Sequence, residues 1–199
     1  MTGAEMLTKI LPRLTTIPGG AGIAFIDALN TVVDIFFERL HRKRSEIAMV
    51  RFDDLSVDEE IVDLPTNFRG LSSAKLSLVN VAGVRTALTE APYDYNPDLS
   101  GDPLYFRLVG VRRMQIIPAP TASYVLDGWY FAHPGTLTLS STIPWGGLFN
   151  SIIQDAVLVL STAGSTGAVI EGMRGAIGTM LEGQLMDRTV TPRRNKLWM

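Results

Sequence analysis

Cysteine is absent and histidine occurs only twice, at His41 and His133, in a chain of 199 residues. The first absence excludes a disulfide framework, a thiolate zinc site, an iron–sulfur cluster and a cysteine nucleophile. The second leaves almost no stock for a histidine-based metal site. Charge of one sign is also scarce. Lys and Arg number 18 against 20 Asp and Glu, for a net charge of −2 and an isoelectric point near 5.7. A polybasic nucleic-acid binder driven by bulk charge is thereby excluded. Long apolar runs are missing too. The most apolar stretch, residues 156–170, is broken by Ser161, Thr162, Gly164, Ser165, Thr166 and Gly167 and flanked by Asp155 and Glu171. A spanning helix needs about 20 mostly apolar residues, so this stretch reads as two helices joined by a glycine-containing turn. The start, MTGAEMLTKILPRL, has no basic segment followed by an apolar core and a small-residue cleavage site, and no signal peptide is expected.

What is present is apolar. Hydrophobic residues make up 46% and charged residues 19%, with a mean hydropathy of +0.19. A chain this long buries roughly 70% of its unfolded surface and holds a core without staples. The excess of apolar residues points to an oligomer that hides surface between copies.

The periodicity divides the chain into helical, strand and helical zones. Residues 2–14 suit a short helix, strained near its end by Pro12, and TIPGGAG (16–22) suits a turn. The strongest helix signal is 23–43, where Ile26, Leu29, Val33, Phe36 and Leu40 fall on one face and Phe25, Val32 and Phe37 widen it. Arg39, His41, Arg42, Lys43 and Arg44 place cations at its C-terminal end, as the helix dipole favours.

From about residue 46 the period becomes two. Strands are expected at 46–52, 72–79, 105–110, 112–118 and 123–132, with PAPTA (118–122) as a hairpin turn. Strand 123–132 carries Tyr124, Leu126 and Tyr130 on one face and Val125, Trp129 and Phe131 on the other. Beyond IPWGG (143–147), Leu148, Phe149, Ile152, Ile153, Ala156, Val157 and Leu160 predict a helix of about 16 residues. A second helix is expected over 167–186. Gly172, Gly175 and Gly178 recur within it, and each costs up to about 1 kcal/mol in a helix interior. Close approach of another helix is one compensation, and a frayed helix the alternative.

Catalytic patterns are weak. PGGAG (18–22) lacks the Gly-Lys-Ser/Thr ending of a phosphate loop and follows no predicted strand. No G-x-S-x-G elbow occurs. The acidic stretch 51–63, with Asp53, Asp54, Asp58, Glu59, Glu60 and Asp63, reads as a solvated loop, or as a negative surface toward DNA or a basic partner. Asp94, Asn96, Asp98, Ser100 and Asp102 alternate as oxygen donors. An EF-hand would need Gly where Leu99 stands and Glu where Tyr105 stands, so a polar loop is expected. Tyr124, Trp129, Tyr130 and Phe131 lack interleaved Lys or Arg and read as packing residues, not a base-stacking platform.

The segment 105–138 carries Ile116-Ile117-Pro118-Ala119-Pro120, then Tyr124, then Tyr130-Phe131-Ala132-His133-Pro134 through Leu137. Upstream stands Leu64-Pro65-Thr66-Asn67-Phe68. Downstream stand Trp145 before an apolar helix, a second helix and a basic tail. Together these pieces resemble the phage head-to-tail adaptor family, also called connector or head-completion proteins. The 161–167 turn and the glycine-studded last helix depart from the family pattern. The resemblance implies an α+β fold: a helical bundle (1–45 and 143–188), an inserted antiparallel β-sheet or sandwich region (46–142) and an extended C-terminal tail (189–199). It implies a noncatalytic virion subunit without cofactor or metal. Such a subunit forms a ring, typically of about twelve copies with closed cyclic symmetry, below the portal at the phage neck. It joins the capsid to a downstream tail or nozzle protein and lets DNA pass unread. Assembly would take place in the host cytoplasm, with no membrane partner. Other readings are a tail-completion or tail-tube-associated virion protein and, from the enzyme class, a small hydrolase or calcium-dependent module.

The tail supplies the expected site. Pro192 disfavours continuation of the last helix. Arg193, Arg194 and Lys196 offer cations to carboxylates or phosphates, and Leu197, Trp198 and Met199 are too apolar to serve solubility alone. Because adaptors of this kind commonly insert their C-terminal tails into portal clefts, the resemblance implies that these seven residues dock on the portal.

Overall fold

The computed structural model describes residues 1–13, 21–72, 76–92, 101–163 and 167–189. They fold as an α+β chain in two compact units. One comprises Met1–Arg42 and Thr136–Met199, and the other Lys43–Gly135.

The first unit is helical. Its described helices are α1 (Gly3–Ile10), α2 (Ala21–Arg42), α3 (Asn150–Ala163) and α4 (Gly167–Thr189). Thr2 starts α1 with a capping box: its hydroxyl accepts from the Glu5 N–H, and its own N–H donates to Glu5 Oε2 at 2.8 Å. Two further N–H groups of the first turn find carbonyls outside the helix. Gly3 donates to Ser141 and Ala4 to Leu139, so these two orphan donors of the helix start are satisfied by backbone. This approach is close enough that a β-carbon on Gly3 would stand 2.9 Å from the Thr138 carbonyl oxygen. The α-helix stops at Ile10, and Leu11–Arg13, which contains Pro12, continues as one 3₁₀ turn.

The face expected on α2 is the buried one. Leu29, Val33, Phe36 and Leu40 are fully buried, as are Ile153 and Val157 on α3, and α2 packs on α3. Ile26 is only half-buried. Met173, Ile177 and Leu181 bring α4 into the same core. Trp145, at a φ of +66°, lays its ring on Phe36 with centroids 5.9 Å apart. A left-handed backbone is costly for a bulky residue, and this aromatic packing offsets the cost.

The α4 glycines do not carry a close helix contact within this chain. A β-carbon at Gly172 or Gly175 would meet nothing within 4 Å, and at Gly178 it would meet only the Arg39 guanidinium, at 3.5 Å. Their expected compensation is absent among the described residues.

The second unit holds ten described strands: β1 (Met49–Arg51), β2 (Leu55–Val57), β3 (Ile61–Asp63), β4 (Phe68–Leu71), β5 (Leu76–Asn80), β6 (Arg85–Glu90), β7 (Tyr105–Leu108), β8 (Arg113–Ile117), β9 (Tyr124–Asp127) and β10 (Trp129–Ala132). They form a three-stranded sheet, β1-β10-β4, and a seven-stranded, barrel-like sheet, β2-β9-β5-β6-β7-β8-β3. All the pairings are antiparallel except β6 with β7, which run parallel across the 91–104 connection. Phe52, Val57, Val62, Phe68, Leu78, Met114, Ile116, Leu126 and Tyr130 lie in one apolar core.

Three expectations need correction here. Residues 123–132 form two strands, not one. The chain leaves the large sheet after Asp127 and enters the small one at Trp129. Gly128 permits this, since a β-carbon there would collide with the Leu76 side chain. PAPTA is not a hairpin turn, because β8 pairs with β7 and β3 whereas β9 pairs with β2 and β5. Finally, the acidic stretch 51–63 is not a plain loop. It contains β2 and β3, which send Val57 and Val62 into the core while the six carboxylates stay exposed.

Candidate functional site

The expected docking residues Pro192, Arg193, Arg194, Lys196, Leu197, Trp198 and Met199 lie outside the described residues. So do TIPGGAG up to Gly20 and most of the oxygen-rich loop, 93–100. Among the described residues no group of three or more His, Asp or Glu side chains is placed to hold a metal ion. No helix among them is long and apolar enough to cross a membrane.

The most concentrated charge lies at Asp127, at the end of β9. Arg51 reaches its Oδ1 from β1 with Nη2 at 2.6 Å and Nε at 2.7 Å, and Arg85 of β6 pairs with Oδ2. Asp127 is mostly buried and both arginines are largely exposed. The carboxylate therefore spends one oxygen joining the small sheet to the large one and the other tying β6 to β9 within the large sheet. A carboxylate engaged in this way is a structural clamp, not a general base.

The acidic turn between β2 and β3 is more open. The Ser123 hydroxyl, and after it that of Ser56, hold the Asp58 carboxyl below the usual carboxylate range. Glu60 accepts from Gln115 Nε2 at 2.6 Å. The hydroxyl bonds to Asp58 favour its ionised form, the opposite of the raised proton affinity that general acid catalysis would require.

The histidines have local packing roles. His41 stacks on Phe37 one turn earlier in α2. His133 donates its backbone N–H to the Asn67 carbonyl, and its Nδ1 accepts from the Gly135 N–H at 3.0 Å. The motif residues that carried the family resemblance are architectural in the same sense. Tyr130 stacks on Phe52, with centroids 4.6 Å apart, and donates its hydroxyl to Asn67 Oδ1. Phe68 and Leu64 are buried, and the Phe68 N–H closes a turn onto the Pro65 carbonyl. Of the four aromatic residues of 124–131, Tyr130 and Phe131 are core and Trp129 is exposed.

The exposed apolar residues that sequence reasoning missed are at turns. Val81 and Val84 stand at the β5–β6 turn, and Val109 and Val111 at the β7–β8 turn. In the α3–α4 pair, Val159 and Met180 border an apolar groove floored by Ala156, Met173 and Ile177. The sequence signal for the turn valines is valine beside a turn glycine, Val-Ala-Gly-Val and Val-Gly-Val, where turns ordinarily place polar residues.

The motif residues of this fold build packing and turns, and its most concentrated charge is held in a clamp at Asp127. The family model for the SU10 adaptor protein matches residues 1–166. The chain belongs to that family, and it is a phage structural adaptor protein. No curated protein matches it.

Proposed function

We propose that this chain is a head-to-tail adaptor that forms a ring below the portal of a filled capsid and joins capsid to tail. The observation that carries this reading is the family match over residues 1–166. In this reading the copies close into a ring of about twelve through heterologous contacts, and DNA passes through the lumen without being read. A net charge of −2 suits that task, because a strongly basic lining would bind the passing phosphates and hinder transit. The subunit resides at the virion neck and assembles in the host cytoplasm. Its downstream partner is a tail or nozzle protein.

The anchor to the portal is the tail. Pro192 turns the chain out of the helical path, Trp198 fills an apolar portal pocket between Leu197 and Met199, and Arg193, Arg194 and Lys196 meet portal carboxylates. Each docked Trp is worth about 2 kcal/mol or more, and the ring multiplies it by valency. Deletion of 191–199 tests this. The truncated protein should fail to join portal-containing heads in pull-down and assembly assays. Wild-type efficiency would show that the anchor lies elsewhere.

A further inference from the structure

The seven-stranded sheet has two distinguishable ends. At one end Val57, Tyr124 and Asn80 lie in a single row across β2, β9 and β5. The residues that follow this row are Asp58, Glu59 and Glu60 after β2 and Val81 after β5. Val81 is 94% and Val84 59% exposed there. Arg85, the described cation closest in sequence to this end, is turned back along the sheet onto Asp127. The end therefore presents carboxylates around exposed valines.

At the opposite end β7 and β8 project as a hairpin closed by the Val109 N–H on the Arg113 carbonyl, at 2.8 Å. Its tip reads Val109-Gly110-Val111-Arg112-Arg113, with Val111 83% exposed. Arg113 shares its charge with Asp63 at 3.4 Å, and Arg112 is exposed. Asp53 and Asp54 lead into β2 at this end as well, so the cationic character belongs to the projecting tip and not to the end as a whole.

Valines this exposed at two turns are a solvation cost without return among the described residues. Each lies beside charge of the sign opposite to the other's. We infer that the 109–113 tip of one copy docks on the Asp58–Glu60 and Val81–Val84 end of the next, so that the two ends form one heterologous interface between copies. Valine meets valine at its centre and Arg112 meets the carboxylates at its rim, the layout of an apolar core with a polar rim. Because the two surfaces are different, the contact propagates from copy to copy. It closes a ring if the rotation per step permits, or else runs on as a filament. The inference rests on the adaptor reading only in taking the assembly to be a ring.

The absence of cysteine makes the test direct. Val81→Cys and Val111→Cys are introduced together in the full-length chain, which is then oxidised both as concentrated purified protein and in portal-containing heads. The expected result is a ladder of cross-linked multimers. Each single variant gives at most dimers, and a mixture of the two single variants gives chiefly the mixed dimer. Arg112→Glu should lower the cross-link yield about tenfold, and adding Glu59→Arg in the same chain should restore most of it. An unchanged denaturation midpoint controls for folding. Absence of a ladder in both samples overturns the inference. Absence while the protein is present in heads overturns the inference alone and leaves the adaptor reading standing. Absence of the protein from heads, with a ladder in solution, overturns the adaptor reading and supports the interface.

Discussion

Asn30 and Leu137 exchange two hydrogen bonds. The Leu137 N–H donates to Asn30 Oδ1 at 2.7 Å, and Asn30 Nδ2 donates to the Leu137 carbonyl at 3.1 Å. A side-chain amide on α2 thus stands in for a strand partner and fixes the backbone that leads toward α3. Leu137 itself is buried, so neither backbone group has ready access to water. Asn30→Ala should cost about 1–3 kcal/mol, the penalty for stranding buried polar groups. Asn30→Asp keeps the acceptor but loses the donor, and should also destabilise. Urea denaturation midpoints check both. A change in Asn30→Ala below about 0.5 kcal/mol would mean that water replaces the amide without loss.

Phe36 carries the helical core. It is fully buried, with Trp145 stacked on it and the Phe149 ring centroid at 5.7 Å. Phe36→Ala should cost about 3–5 kcal/mol, measured by chemical denaturation. A shift under about 0.5 kcal/mol would place this ring outside the core.

The α4 glycines make an opposite prediction. Since a β-carbon at Gly172 or Gly175 meets nothing within 4 Å, either change to Ala should raise the stability of the isolated chain by about 0.5–1 kcal/mol. Thermal melts of the two variants test this, and a fall in stability would reveal a neighbour that crowds the helix.

Asp58 sets a pH dependence. Its carboxyl is held low, first by Ser123 and then by Ser56. A group whose folded pKa lies below its unfolded one contributes stability above the ordinary carboxylate range. That contribution is lost as pH falls through the folded value. A carboxyl-detected NMR titration should therefore find Asp58 below the ordinary range. Ser123→Ala should move its midpoint upward, and by more than Ser56→Ala does. A midpoint unchanged by both substitutions would contradict the assignment.

The helices were legible because their periods are long. The α2 face from Leu29 to Leu40 and the Ile153–Leu160 face of α3 repeat often enough to stand out from noise. The short strands were not. β2 and β3 have three residues each, so alternation shows one buried residue apiece and the surrounding carboxylates dominate the pattern. The break at Gly128 was hidden because both flanking segments are bulky and β-prone. What reveals it is the close pass over Leu76, a contact between strands distant in sequence. Asn30 escaped notice for a similar reason, since a lone Asn in a helix gives no sign that a backbone partner lies 107 residues away. The family motifs were legible as residues, and the structure gives several of them their physical content in turns and buried rings.

The most direct measurement is a cryo-electron microscopy reconstruction of the virion neck. The account predicts density for this chain as a closed ring against the portal, with its C-terminal tails entering portal clefts and an open lumen for DNA. Density for the chain only along the tail tube, or only as unringed copies away from the portal, would contradict it.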